Sequence, residues 1–287
     1  MSILNEFFKD IADMRDYVSL VGSDLEFQEL NSSAISARKE IRNIISPAIW
    51  DKLKDSDDSG PLTFLKVAFG NLTMHKALIF TMIAKRLSGG ADVYKYEIET
   101  MRRQYIDNYF NAMDSLIELL GSDERYKDDW MKLPSCKMIA NLQVKSTSEM
   151  NSYYGIDMSY LFFFRTIPIQ REVLDEKMSG YFQRASGRPE LLPRLKRALV
   201  LEIVATALLR FDIIELPHTI RSLFDDQKIS RSGNTEKTSL ENLAGSLQQQ
   251  ASGIILAVEA ALAEPSSGNI DSETSFNRES DKFFLMS

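Results

Sequence analysis

Cysteine is nearly absent from this chain: Cys136 is the only one in 287 residues. An intrachain disulfide is therefore excluded, and a reducing compartment or assembly inside a cell is the natural setting. Histidine is almost as scarce, with His75 and His218 far apart in sequence, so a zinc site drawing on three or four N and S ligands is not expected. No run reaches 18 uninterrupted apolar residues, so no transmembrane helix is expected. The start, MSILNEFFKDIADMRD, carries acids and lacks a basic region followed by an apolar one, so no secretory leader is expected. A basic excess is missing too: 34 Lys and Arg face 41 Asp and Glu, for a net charge of −7. That argues against nucleic-acid binding by the chain as a whole, which needs clustered cations, although it leaves room for a local basic loop. Gly-rich phosphate loops, nucleophile elbows and CxxC pairs do not occur.

Glycine (13) and proline (8) are few, and what remains is helical periodicity over a hydrophobic content of 44%. An all-α fold follows, with helices expected over 33–45, 61–87, 94–120, 169–183, 189–214 and 239–263. Pro61 and Pro189 sit at first-turn positions, where a missing N–H is harmless. Ser239 followed by Glu241 reads as a helix start. Residues 137–160 mix β-branched, aromatic and small polar residues, which fits either a short strand or an irregular bridge.

The chain also matches itself. FLKVAFGNLTMHKALIF (64–80) lies over RLKRALVLEIVATALLR (194–210) at a shift of 130, pairing Leu65 with Leu195, Lys66 with Lys196, Ala68 with Ala198, Ala77 with Ala207 and Leu78 with Leu208. Upstream, KEI at 39–41 lies over REV at 171–173, and Trp50 over Phe182, at a shift of 132. Downstream, Tyr105, Met113, Leu116 and Leu120 lie over Leu247, Ile255, Val258 and Leu262 at a shift of 142. The shift changes only across loops, as in a tandem duplication. Each unit reads as a helix, a short loop with an aromatic, and two long helices. This divides the chain into an N-terminal helical extension (1–24), a first helical repeat (25–120), a bridging segment (121–160), a second repeat (161–264) and an extended C-terminal tail (265–287).

Candidate chemistry is sparse. His75, in an apolar helix, reads as a satisfied core histidine, and His218 follows Pro217 at a helix end without metal-binding neighbours. The acid pairs Asp57–Asp58, Asp128–Asp129 and Asp225–Asp226 read as loop charges; adjacent residues on a helix would not face one another. RRQ (102–104) and PRLKR (193–197) read as solvated basic stripes, and LFFF (161–164) as core. No catalytic residue, metal site or cofactor is expected. The loop 225–239, with Lys228, Arg231 and Lys237, is long enough to serve as a contact loop.

The duplicated unit, with ARKEIRNIISPAIWDKL (37–53) leading into a Pro-started long helix, resembles the helical head–tail connectors of tailed phages. Within them it is most similar to the duplicated ring proteins found beneath the portal in crAss-like phages of Bacteroides, over about residues 25–264. The resemblance implies a virion protein of the neck, assembled in the host cytoplasm. It would form a homo-oligomeric ring of about twelve copies, closed by symmetry, between portal and further tail proteins. DNA would pass through without specific binding, no membrane is involved, and loop 225–239 would line the channel or meet the next ring. It also implies docking on the portal through the C-terminal tail. The polar stretch EPSSGNIDSETSFNRES (264–280) would then be a tether and DKFFLMS (281–287) the hook, with Phe276, Phe283, Phe284, Leu285 and Met286 as its apolar contacts. Burying such side chains contributes about 1.5–3 kcal/mol each before ordering costs. Two rival readings stand beside this one. A helical enzyme would have a deep pocket with convergent polar groups between the repeats, where the sequence offers mostly Leu, Ile and Ala. A monomeric prophage scaffold or regulator would need no tail.

Overall fold

The computed structural model describes residues 2–22, 25–56, 60–87, 94–225 and 233–263. They form thirteen α-helices, joined by short turns of 3-10 helix, with no strand among the described residues. In order these are α1 (Ile11–Arg15), α2 (Phe27–Ile45), α3 (Pro47–Lys54), α4 (Pro61–Leu87), α5 (Lys95–Ser122), α6 (Glu124–Met131), α7 (Pro134–Ile139), α8 (Thr147–Tyr153), α9 (Tyr160–Glu176), α10 (Tyr181–Arg184), α11 (Leu192–Arg210), α12 (His218–Asp225) and α13 (Gly233–Ala263).

Two central helices organise two cores. α4 lies between α2 and α5, and α11 between α9 and α13. α4 is buried on nearly all sides from Ala68 to Leu78, and α11 from Ala198 to Leu208, the same stretch at the 130-residue shift. The aligned pairs Leu65 and Leu195, Ala68 and Ala198, Ala77 and Ala207, and Leu78 and Leu208 are all buried. α4 is also the one described helix long and apolar enough, by length and composition, to cross a membrane, over Pro61–Ala84. Half of that window is buried among the protein's other helices. Polar Asn71 and Thr73 are fully enclosed there, their side chains bonding back to the carbonyls of Val67 and Phe69.

Residues 2–22 are part of the first core, not an extension beside it. Leu4, Phe8, Met14 and Val18 are buried in it, and Phe7 meets Trp50 edge-on at 5.0 Å between ring centres. Glu6 accepts from Arg38 at 2.6 Å and from the Trp50 indole at 3.3 Å. This segment lies against Gly70 of α4. A Cβ there would come within 2.4 Å of Val18 Cγ2, so the close approach requires glycine.

Several expectations shift in detail. The helix expected over 169–183 runs instead over Tyr160–Glu176, with Pro168 inside it and Ser159 capping its start by accepting from Phe162 N at 3.2 Å. It stops before Gly180, which holds the left-handed conformation at φ +79°. The helix expected over 189–214 ends at Arg210, where Phe211 turns to extended backbone. Trp50, expected in a loop, sits in the short helix α3, and Phe182, expected near the end of the helix over 169–183, sits in the separate short helix α10. Asp128–Asp129 lies on α6, not in a loop; Asp129 pairs there with Lys52 at 3.1 Å and Lys132 at 3.0 Å. Residues 137–160 hold the end of α7 and the whole of α8, joined by an irregular run. Val144, the strand-like residue in that run, has both backbone groups bonded by the buried side chain of Gln170, at 2.9 and 3.1 Å. An amide thus does the work of a neighbouring strand.

The junction between the halves as candidate functional site

LFFF (161–164) is core, as expected, and it belongs to both halves. Leu161 is buried in the first core, Phe162 and Phe163 in the second, and Phe164 packs against each. Phe164 also meets Trp130 at 4.8 Å between rings. Around this crossing, acids from the first half reach helix starts in the second. Asp114 of α5 accepts from Leu161 N at 2.7 Å and from Ser159 Oγ at 3.1 Å, so it caps α9 from outside. Burial pushes its carboxyl up to about 6; the hydrogen bonds from Leu161, Ser159 and Tyr160 pull the other way, and nearby Asp157 adds to the rise.

Asp157 and Met158 both hold the left-handed conformation, at φ +55° and +54°. That turn aims the Asp157 carboxylate at the start of α12, where it accepts from Thr219 N at 2.7 Å and from the Thr219 hydroxyl. Asn151 fixes the turn by accepting from Ile156 N at 2.9 Å and Met158 N at 3.2 Å. α12 then returns to the first half through an ion pair between Arg221 and Asp107, at 2.6 Å. Arg165 of α9 completes the set, pairing with Glu215 at 2.9 Å with its guanidinium 4.7 Å from the centre of the Phe211 ring.

These groups surround a cavity of about 240 Å³, lined by Asp107, Asp114, Asp157, Glu215, His218 and Arg221 over an apolar base that includes Phe110 and Phe162. Polar groups do converge between the halves, where the sequence pointed to Leu, Ile and Ala. The acids are engaged within the protein, however, although Arg221 Nε is buried there without a hydrogen-bond partner among the described residues. Asp114 and Asp157 cap helices, and Asp107 and Glu215 hold arginines. His218 is exposed at the first turn of α12, on the cavity's edge. Among the described residues no cluster of three or more His, Cys, Asp or Glu has the geometry to hold a metal ion. Cys136 is buried, which pushes its thiol up to about 11. His75 lies within α4 with its Nδ1 3.1 Å from the carbonyl of Arg102, and burial lowers its pKa.

The proposed hook residues Phe276, Phe283, Phe284, Leu285 and Met286 lie outside the described residues, as do Lys228 and Arg231. Lys237 is on α13, exposed, and 3.9 Å from Glu241. The junction acids escaped the sequence reading, which weighed only adjacent doublets. Their signal was present in DNYFNAMD (107–114), where Asp107, Asn111 and Asp114 recur at one-turn spacing on one helix face. No family model matches the chain, and no match was found among curated proteins or solved structures.

Proposed function

We propose that this protein is a structural connector that assembles with copies of itself and with a portal-like ring, and that the two halves descend from a tandem duplication. The observation that carries the reading is apolar surface left uncovered at one end of the α4–α5 hairpin. Ile79, Phe80 and Ile83 are 52%, 71% and 53% exposed on the last turns of α4, and Tyr94 and Tyr96 at the start of α5 are 73% and 69% exposed. An apolar cluster of this kind marks an interaction surface. The common order of helices, with a central helix buried over the same stretch in each half, supports the duplication. The commitment of the junction acids to helix caps and ion pairs supports a part that holds a shape.

In this reading copies form a ring, DNA passes through it, and the tail hooks the portal through Phe283–Met286. The test is to mix full-length protein, and a version ending at Glu264, with portal rings from the same phage and image the product by electron microscopy. An added symmetric ring seen only with the full-length protein is the expected result. Rings with both versions would remove the hook and keep the connector. Rings with neither would remove both. A second reading, a small-molecule or catalytic site, has the polar junction cavity in its favour; a ligand there would have to displace the partners that Asp107, Asp157 and Glu215 already hold.

A further inference from the structure

From Asn242 to Val258, more than four helical turns, α13 contains no charged residue. Its outer face nonetheless meets solvent: Gln249, Gln250, Ser252, Gly253, Leu256 and Ala257 are exposed. Solvent faces of helices ordinarily carry charge. Beside this face an open groove of about 450 Å³ runs between α11 and α13. Gly253, Ile254 and Ala257 form its apolar wall, and Arg194, Arg197 and Gln250 edge it. A Cβ at Gly253 would meet nothing within 4 Å, so the space over the helix is open. Arg194 and Arg197 are exposed, one turn apart on α11, and neither has an ion-pair partner among the described residues. Lys196 between them is held by Glu149 at 2.5 Å. The groove is therefore apolar on one side and carries two uncommitted cations on the other.

The geometry points to residues 270–276 of this same chain, IDSETSF, as the occupant of that groove. The segment's pattern fits the groove's two sides. In an extended strand, alternate residues face opposite ways. Asp271 and Glu273 then share one side, and Ile270 and Phe276 the other. Two carboxylates two residues apart in a strand are separated by about 7 Å. The arginines, three apart on a helix, are separated by about 5–6 Å at Cβ, and their long side chains absorb the difference. Connection is short as well. The chain leaves α13 at Ala263, and EPSSG (264–268) contains the Pro and Gly that reverse a chain. Gln250, at the far end of the groove, is about 20 Å back along the helix. Residues 269–276 extended cover about 25 Å. The clasp leaves Phe283–Met286 free, so Phe276 moves from the hook to the clasp. The inference does not depend on the connector reading.

The test is hydrogen–deuterium exchange of the full-length protein, read by mass spectrometry over residues 264–287 and α13. Residues 270–276 are expected to exchange about tenfold or more slowly than an unstructured peptide, with 277–287 unprotected. R194E/R197E should abolish that protection, and adding D271K/E273K should restore it. Both arginines are exposed, so the fold survives the reversal, and the restored pair guards against a trivial loss. Protection should be the same across an approximately 100-fold dilution, because the occupant is tethered to its own groove. Free-peptide exchange of 270–276 in the unaltered protein would overturn the proposal, and so would protection that ignores the charge reversal. Protection lost on dilution would assign the segment to a second copy and overturn the same-chain clasp. No portal is present in the experiment, so none of these outcomes bears on portal docking.

Discussion

Asp114 works against its own burial. Its carboxyl is pushed up to about 6, while an unfolded chain leaves it in the ordinary carboxylate range. A raised folded-state value means that the folded protein holds the proton more tightly. The charge therefore costs stability above about pH 6, and that cost fades as the pH falls toward 4. Asp114→Asn, which keeps an oxygen to accept from Leu161 N, should remove this dependence. Urea titrations at pH 7 and pH 5 should show the unaltered protein gaining about 1–2 kcal/mol more than the variant on acidification. Asp114→Ala should instead lose about 1–3 kcal/mol at pH 7, because buried donors at the start of α9 are left unpaired. Gly70 is a second site where a few atoms decide. Gly70→Val should cost about 1–3 kcal/mol by crowding Val18. Val18→Ala added to it should recover part of that loss, and a double-mutant cycle measures how much.

At the scale of helices, Pro168 is the test. A proline inside a helix costs about 3 kcal/mol through its missing N–H and its ring. α9 nevertheless runs through it, because Leu161, Phe162, Phe163, Ile167 and Ile169 are buried around it. The ring itself is exposed. Pro168→Ala should therefore raise stability, by about 1–3 kcal/mol, and lift the thermal midpoint in a calorimetric scan. The same proline explains where sequence and structure part. The helix expected over 169–183 starts directly after Pro168, nine residues after the true start at Tyr160. Pro61 was legible because it stands at a helix's first position and nothing contradicts it; α4 has the expected span, Pro61–Leu87. The helical period of apolar residues likewise located α5, and α13 from residue 239 onward; the start read at Ser239 and the loop expected over 225–239 are overtaken by α13, which begins at Gly233. Gly180 and Val144 were not legible. The end of α9 depends on a left-handed residue, and the strand-like run depends on Gln170, 26 residues away. The junction was least legible of all. Asp114 acquires its role from an N–H 47 residues downstream, which no local pattern announces.

At the scale of the molecule, the division at 160/161 suggested by the internal match falls inside a core. LFFF places one side chain in the first hydrophobic cluster, the next two in the second, and the fourth against both. Asp114 and Arg221 tie the same region from either side. Melting should accordingly be a single event: one calorimetric peak, with calorimetric and van't Hoff enthalpies in agreement. Two peaks would show the halves to be independent. Fragments cut after Tyr160 should each aggregate alone and regain helicity only when refolded together. Each half is thus a partner that the other cannot replace, and neither can be lent on its own to another protein.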